Sequence, residues 1–246
     1  MGPVEGPALV FWPGLNPWGA LQLVEVGPLL AERGIHVLAC EPPLDLGAPD
    51  AYLPTRLAQL IADSAPERFV FMGHSWGGSI GVHLAARHPD RVGGLVLLDG
   101  GHVDFPSEQS RDELAARFEA DQAGFAFDSW DDWWVWVRTR VSSWRPSLEP
   151  RYGEAAMHEV DGQVVPRASA RVAAWARWGV HAEPPTSAHP CIECPVLLLL
   201  SRSGEEPASL QAEIHRLDAG HDLFEDAPHE TVRLVAEWLA RLPREG

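Results

Sequence analysis

The chain has 246 residues, 46% of them apolar, and carries a net charge of −16. That length and apolar content suit one large folded domain, or a domain with an insert, and exclude a disordered chain. The charge disfavours nucleic acid and anionic membrane as partners, because phosphates need basic patches, and no run approaches the ~18 apolar residues of a transmembrane helix. All 19 basic residues are Arg, so a Lys nucleophile or Schiff base is excluded. Three cysteines, Cys40, Cys191 and Cys194, fit a reduced compartment better than a disulfide scaffold. Cys191 and Cys194 form a lone CxxC with no second pair, so no metal site is expected. The N-terminal "MGPVEGPALVFWPG" has no basic stretch before its apolar residues and does not read as a secretory signal. A cytoplasmic protein, monomer or homodimer, is the expectation.

Strand-like apolar runs alternate with helical patterns along the chain. "ALVFWPG" (Ala8 to Gly14) is the first strand. "QLVEVGPLLAERG" has apolar residues at helical spacing and stops at Gly34, a C-terminal helix signal. "HVLACEPP" (His36 to Pro43) is the second strand, and "TRLAQLIADSAP" a short helix stopped by Pro66. "RFVFMG" is the third strand, with "GGSIGVHLAARHP" as its following helix. "GGLVLLDGG" (Gly93 to Gly101), "PVLLLLS" (Pro195 to Ser201) and "AEIHRLDAGH" are the fourth to sixth strands. "HETVRLVAEWLARL" closes the chain as an amphipathic helix.

Continuous apolar strands are those buried on both faces of a sheet. Alternation with helices predicts an α/β, doubly wound, mostly parallel sheet. Residues 103–190 break the rhythm. They hold most of the Trp residues and no strong strand, and they predict a helical insert between core strands. The expected division is therefore a core of residues 1–102 and 191–246 with an insert of residues 103–190.

Gly73-His74-Ser75-Trp76-Gly77 is G-x-S-x-G between a strand and a helix, the context that gives the motif meaning. A sharp strand-to-helix turn needs small neighbours, which Gly73, Gly77 and Gly78 supply. It lifts the Ser75 hydroxyl at the carboxyl end of the sheet, where open α/β sheets bind ligands. A hydroxyl needs a base to become a nucleophile. His221, in the loop before the last helix, is the expected base; His74 should point away from the elbow. An oxyanion hole needs backbone amides. Trp76 supplies one, and the loop after the first strand supplies the other, at Leu15 or next at Asn16.

Together "FWPGLNPW", "GHSWGG", "LVLLDGG", "CPVLLLL" and "GHDLFEDAP" resemble the α/β-hydrolase superfamily over nearly the whole chain. Pro13 stands where that family often has His. The resemblance implies the α/β-hydrolase fold with a helical cap, no cofactor, no metal, and a triad of serine, acid and histidine. The family usually carries the acid after the strand "CPVLLLLS", but Gly204 occupies the expected place, followed by Glu205 and Glu206. Some members take it from the end of the preceding core strand, here Asp99. Asp99 is the first choice, with Glu205 and then Glu206 as alternatives. The insert becomes a lid in which Trp130, Trp133, Trp134, Trp136 and Trp144 are concentrated, and Trp134 is the expected pocket residue. "DSWDDWW" should open a helix capped by Asp128 or Ser129. The expected activity is a serine hydrolase that cleaves a carboxylic ester or related acyl bond of a small hydrophobic substrate. The alternatives are a receptor-like, slow-turnover binding protein, or a C–C bond hydrolase, lactonase or perhydrolase using the same triad.

Overall fold

Strands that are apolar at every position must be covered on both sides. The computed structural model describes residues 8–15, 19–43, 45–105, 109–123, 125–140, 153 and 155–243. Within them the strands are β1 (Ala8–Trp12), β2 (His36–Ala39), β3 (Phe69–His74), β4 (Val92–Leu98), β5 (Met157–Val160), β6 (Gln163–Pro166), β7 (Val196–Leu200) and β8 (Glu213–Arg216). Six make one sheet in the order β2-β1-β3-β4-β7-β8, and every neighbouring pair is parallel. The helices are α1 (Val26–Ala31), α2 (Pro54–Ser64), α3 (Trp76–Arg87), α4 (Arg111–Ala123), α5 (Trp130–Arg140), α6 (Ala170–Ala182), α7 (Leu223–Asp226) and α8 (Pro228–Arg241).

Successive strand residues point to opposite faces, and the core divides accordingly. Val10, Trp12, Phe71, Leu95, Leu97 and Leu198 pack with residues of α2 and α3. Leu9, Phe11, Met72, Val96, Leu98 and Leu197 pack with residues of α1 and α8 on the other side. The sheet is therefore doubly wound, as the apolar runs predict.

The boundaries differ in instructive places. β2 ends at Ala39, not Pro43. Cys40 still donates to the Phe11 carbonyl, but Pro42 and Pro43 have no N–H to continue the ladder. The predicted helix from Gln22 to Gly34 is a 3-10 turn, Gly19–Leu23, followed by α1. Gly34 does terminate it: φ is +77° there, Gly34 N–H bonds Ala31 and Ile35 N–H bonds Leu30, the pattern of a Schellman motif.

Between β4 and β7 the chain forms α4, α5 and α6, and also a hairpin absent from the helical expectation. β5 and β6 pair antiparallel around Asp161 and Gly162, with φ of +51° and +79°. Two consecutive left-handed residues make the type I′ turn for which Asp-Gly is suited. Ser129 caps α5, its Oγ accepting from the Asp132 N–H at 3.2 Å. α5 and the hairpin share a small core of Trp133, Val137, Ala156, Met157 and Val164. No described helix is long and apolar enough to cross a membrane.

Candidate active site

The β3–α3 junction turns within one residue. His74 ends β3, α3 begins at Trp76, and Ser75 between them has φ +50° and ψ −111°, a region that disfavours any side chain. The corner survives because its surroundings are bare backbone. A Cβ on Gly77 would collide with the Trp12 carbonyl oxygen, and one on Gly100 with the Ser75 backbone. Ser75 N–H donates to Leu98 O at 3.1 Å, which fixes the corner level with the carboxyl end of β4.

Asp99 follows β4 directly, also left-handed at φ +44°. Its Oδ1 accepts from the Ser201 N–H at 2.9 Å. Its Oδ2 accepts from His221 Nδ1 at 2.7 Å. Because Nδ1 carries the proton, Nε2 of a neutral His221 is left as a free base. The Asp99 hydrogen bond raises the His221 pKa against the opposing effect of burial. Burial of Asp99 works against its charge, yet the hydrogen bonds from His221 and Ser201 outweigh it and hold the carboxyl below its ordinary range.

Neither alternative acid is built into this contact. Glu205 is exposed, and Glu206 lies 3.5 Å from Arg216. Gly204 shows why the loop can pass so close. A Cβ there would sit 2.7 Å from Asp99 Oδ1, so the buried carboxylate occupies the space that a side chain at 204 would need.

His74 departs from the expectation that it points away. Its ring lies 4.7 Å from that of His221 and meets Phe224 edge-on at 4.8 Å. Its Nε2–H donates to the His221 carbonyl at 3.0 Å, which ties the loop carrying His221 to the serine corner. Burial, then the neighbouring His221, push its pKa down to about 3. His74 is therefore neutral, and Asp222, 3.7 Å away, faces a dipole and not a cation. The folded-state pKa is depressed, so the unfolded chain binds the proton first. Stability is full above 6.5 and falls as pH drops from there towards about 3. One such proton gives a slope of roughly 1.4 kcal/mol per pH unit. Urea unfolding across that range should show His74→Asn flattening the slope; an unchanged slope would refute the buried neutral state.

Of the oxyanion-loop amides, Gly14 N–H is taken by the buried Gln22 Oε1 at 2.9 Å, so Leu15 is the next available. Leu15 and Trp76 both line a cavity of about 210 Å³, with Tyr52, Val172 and Ala176 among its walls. Asn16 and Trp144 lie outside the described residues. Trp134 is not among the lining residues; it stacks on Trp130 at 6.3 Å and packs against Gly153. Gln22 and His74 carried no sequence signal beyond polarity in apolar surroundings. Among the described residues no group of His, Cys, Asp or Glu is arranged to hold a metal ion. Burial raises the Cys194 thiol to about 11, which makes it a poor ligand.

A doubly wound parallel sheet with a left-handed serine at a strand–helix corner defines a known class of α/β proteins. The family model described as the alpha/beta hydrolase fold matches residues 48–131. The putative carbamate hydrolase RutD of Variovorax paradoxus is 32% identical over 106 residues, 40% of each chain. Lipase LipV of Mycobacterium tuberculosis is 49% identical over 43 residues, 18% of this chain and 16% of the lipase. The chain thus matches two-fifths or less of the length of these curated relatives. The thioesterase domain from the curacin biosynthetic pathway superposes with a TM-score of 0.72 at 17% identity, over 98% of this chain and 93% of the other. The protein has the α/β-hydrolase fold, and residues 48–131 carry the sequence signature of that family.

Proposed function

We propose that the protein is a serine hydrolase that cleaves a carboxylic ester or a related acyl bond of a small apolar substrate. The observation that carries this reading is the 2.7 Å hydrogen bond from His221 Nδ1 to the buried Asp99, at the same sheet edge as the left-handed Ser75. Names of the matched relatives (carbamate hydrolase, lipase, thioesterase domain) are those of hydrolases, which supports the coarse activity.

In the proposed reaction, Ser75 Oγ attacks the carbonyl carbon as its proton passes to His221 Nε2. The carbonyl oxygen becomes an oxyanion that the Leu15 and Trp76 amides stabilise. His221 returns the proton to the leaving alkoxide as the carbon–oxygen bond breaks, leaving an acyl-serine. Water, deprotonated by His221, attacks that ester; the acid departs and Ser75 recovers its proton. Asp99 holds the imidazole tautomer and stabilises the imidazolium. The 210 Å³ cavity, walled in part by Val172, Ala173 and Ala176 of the insert, suits a short acyl group, and the insert is assigned the role of a lid.

A fluorophosphonate probe with mass spectrometry of the adduct tests the reading, alongside a p-nitrophenyl ester chain-length series. The expected result is a single adduct on Ser75 and turnover that falls beyond short chains. No adduct on Ser75 would overturn the assignment.

A further inference from the structure

The cavity that Leu15 and Trp76 line, which does not include Ser75 itself, has one charged side chain among its described lining residues, and it is an acid: Glu41. Glu41 follows β2, with β1 between it and β3. It therefore stands two strand spacings, roughly 10 Å, from the serine corner along the same sheet edge. Its carboxylate is pinned in place. Oε2 accepts from the Ala20 N–H at 3.1 Å, and Oε1 rests where a Cβ on Gly19 would have to be. No Arg or His among the described residues pairs with it. The opposite wall is apolar, with Val172, Ala173 and Ala176 of α6. Tyr52, also in the lining, already accepts from the Leu46 amide at 2.9 Å.

Glu41 is exposed at the edge of the cavity, so its charge acts through solvent and is felt only by a group held close to it, which its contacts with Ala20 and Gly19 keep in one place. An incoming carboxylate would meet like charge with no described cation to offset it. An ammonium would find a preorganised partner.

We propose that Glu41 selects substrates by charge: the cavity takes acyl substrates that bear an ammonium or similar cation at the far end of a short chain, and it discriminates against those that bear a carboxylate. This rests on the hydrolase reading above. The net charge of −16 draws cations to the whole molecule, so the test must separate the local group from that field.

Three p-nitrophenyl esters of matched length serve as probes: aminohexanoate (cationic), hexanoate (neutral) and the adipate monoester (anionic). Wild type should prefer the cationic to the anionic ester in kcat/KM. Glu41→Gln keeps an oxygen for the Ala20 amide and moves the net charge only from −16 to −15. It should lower the cation-to-anion ratio by about 5-fold or more. A ratio within about twofold of wild type would assign any preference to the global field and overturn the proposal. If wild type turns over none of the esters, the hydrolase reading fails separately. Calorimetric titration with hexylammonium and hexanoate then decides the charge selection by itself. Hexylammonium binding that is lost in Glu41→Gln upholds it; equal binding of the two ions, or none, overturns it. Thermal melting of the variant confirms that both measurements are made on folded protein.

Discussion

Ser75→Ala is expected to lower kcat/KM for a p-nitrophenyl ester by about 10⁵-fold, while the protein stays folded. The size follows from the chemistry: without Oγ there is no acyl-enzyme, and only binding and oxyanion stabilisation remain. The fold should tolerate the change, because the corner is defined by backbone contacts around Gly77 and Gly100 and not by the hydroxyl. Ala inherits the φ of +50° that Ser75 endures. Ser75→Gly is equally inactive but removes the Cβ, and it should melt higher than Ser75→Ala, by a stability difference of about 1 kcal/mol. Turnover close to wild type in Ser75→Ala, measured after removal of contaminating esterases, would refute the nucleophile assignment.

Asp99→Asn is expected to cost on the order of 10³ to 10⁴ in kcat. An amide at this position can present its NH₂ to His221 Nδ1, which favours the tautomer with the proton on Nε2, the wrong one for accepting the Ser75 proton. The pH profile supplies a second readout. His221 has its pKa raised above 6.5, chiefly by the Asp99 hydrogen bond, and the base must be neutral to act. In wild type kcat/KM should therefore rise through an apparent pKa above 6.5, and in Asp99→Asn the residual activity should rise at lower pH. Glu205→Gln, on an exposed residue, should stay within about twofold of wild type. A large loss there with little effect of Asp99→Asn would reassign the acid.

Much of the architecture was legible because strand burial writes itself into sequence. β3, β4 and β7 are apolar at nearly every position, and only a sheet covered on both faces uses such runs. The elbow was legible because Gly is required on both sides of Ser75 for steric reasons. The β5–β6 hairpin was missed although Asp161-Gly162 stands between short alternating stretches, a strong hairpin signal; the density of Trp residues drew the segment towards a helical reading. His74 was misjudged because its direction depends on where the loop carrying His221 returns, a contact 147 positions away in sequence. Gln22 has the same difficulty: its bond to Gly14 exists only once the 3-10 turn has formed. Trp134 stacks on Trp130 within the insert, a pairing that aromatic composition alone does not specify.

The contact between Gly204 and Asp99 limits the paths by which such proteins can diverge. The carboxylate at the end of β4 and any side chain at 204 claim the same volume, so a chain carrying Asp at both places is sterically penalised. A lineage that moved its acid between the two strands could not keep both through a duplicate intermediate without opening the loop. Trimming one position would have to come first, and each substitution would be harmful or harmless depending on whether the other had already occurred. Positions 99 and 204 should therefore change as an ordered pair, with sign epistasis between them, and laboratory evolution of this site would have to cross the same low ground.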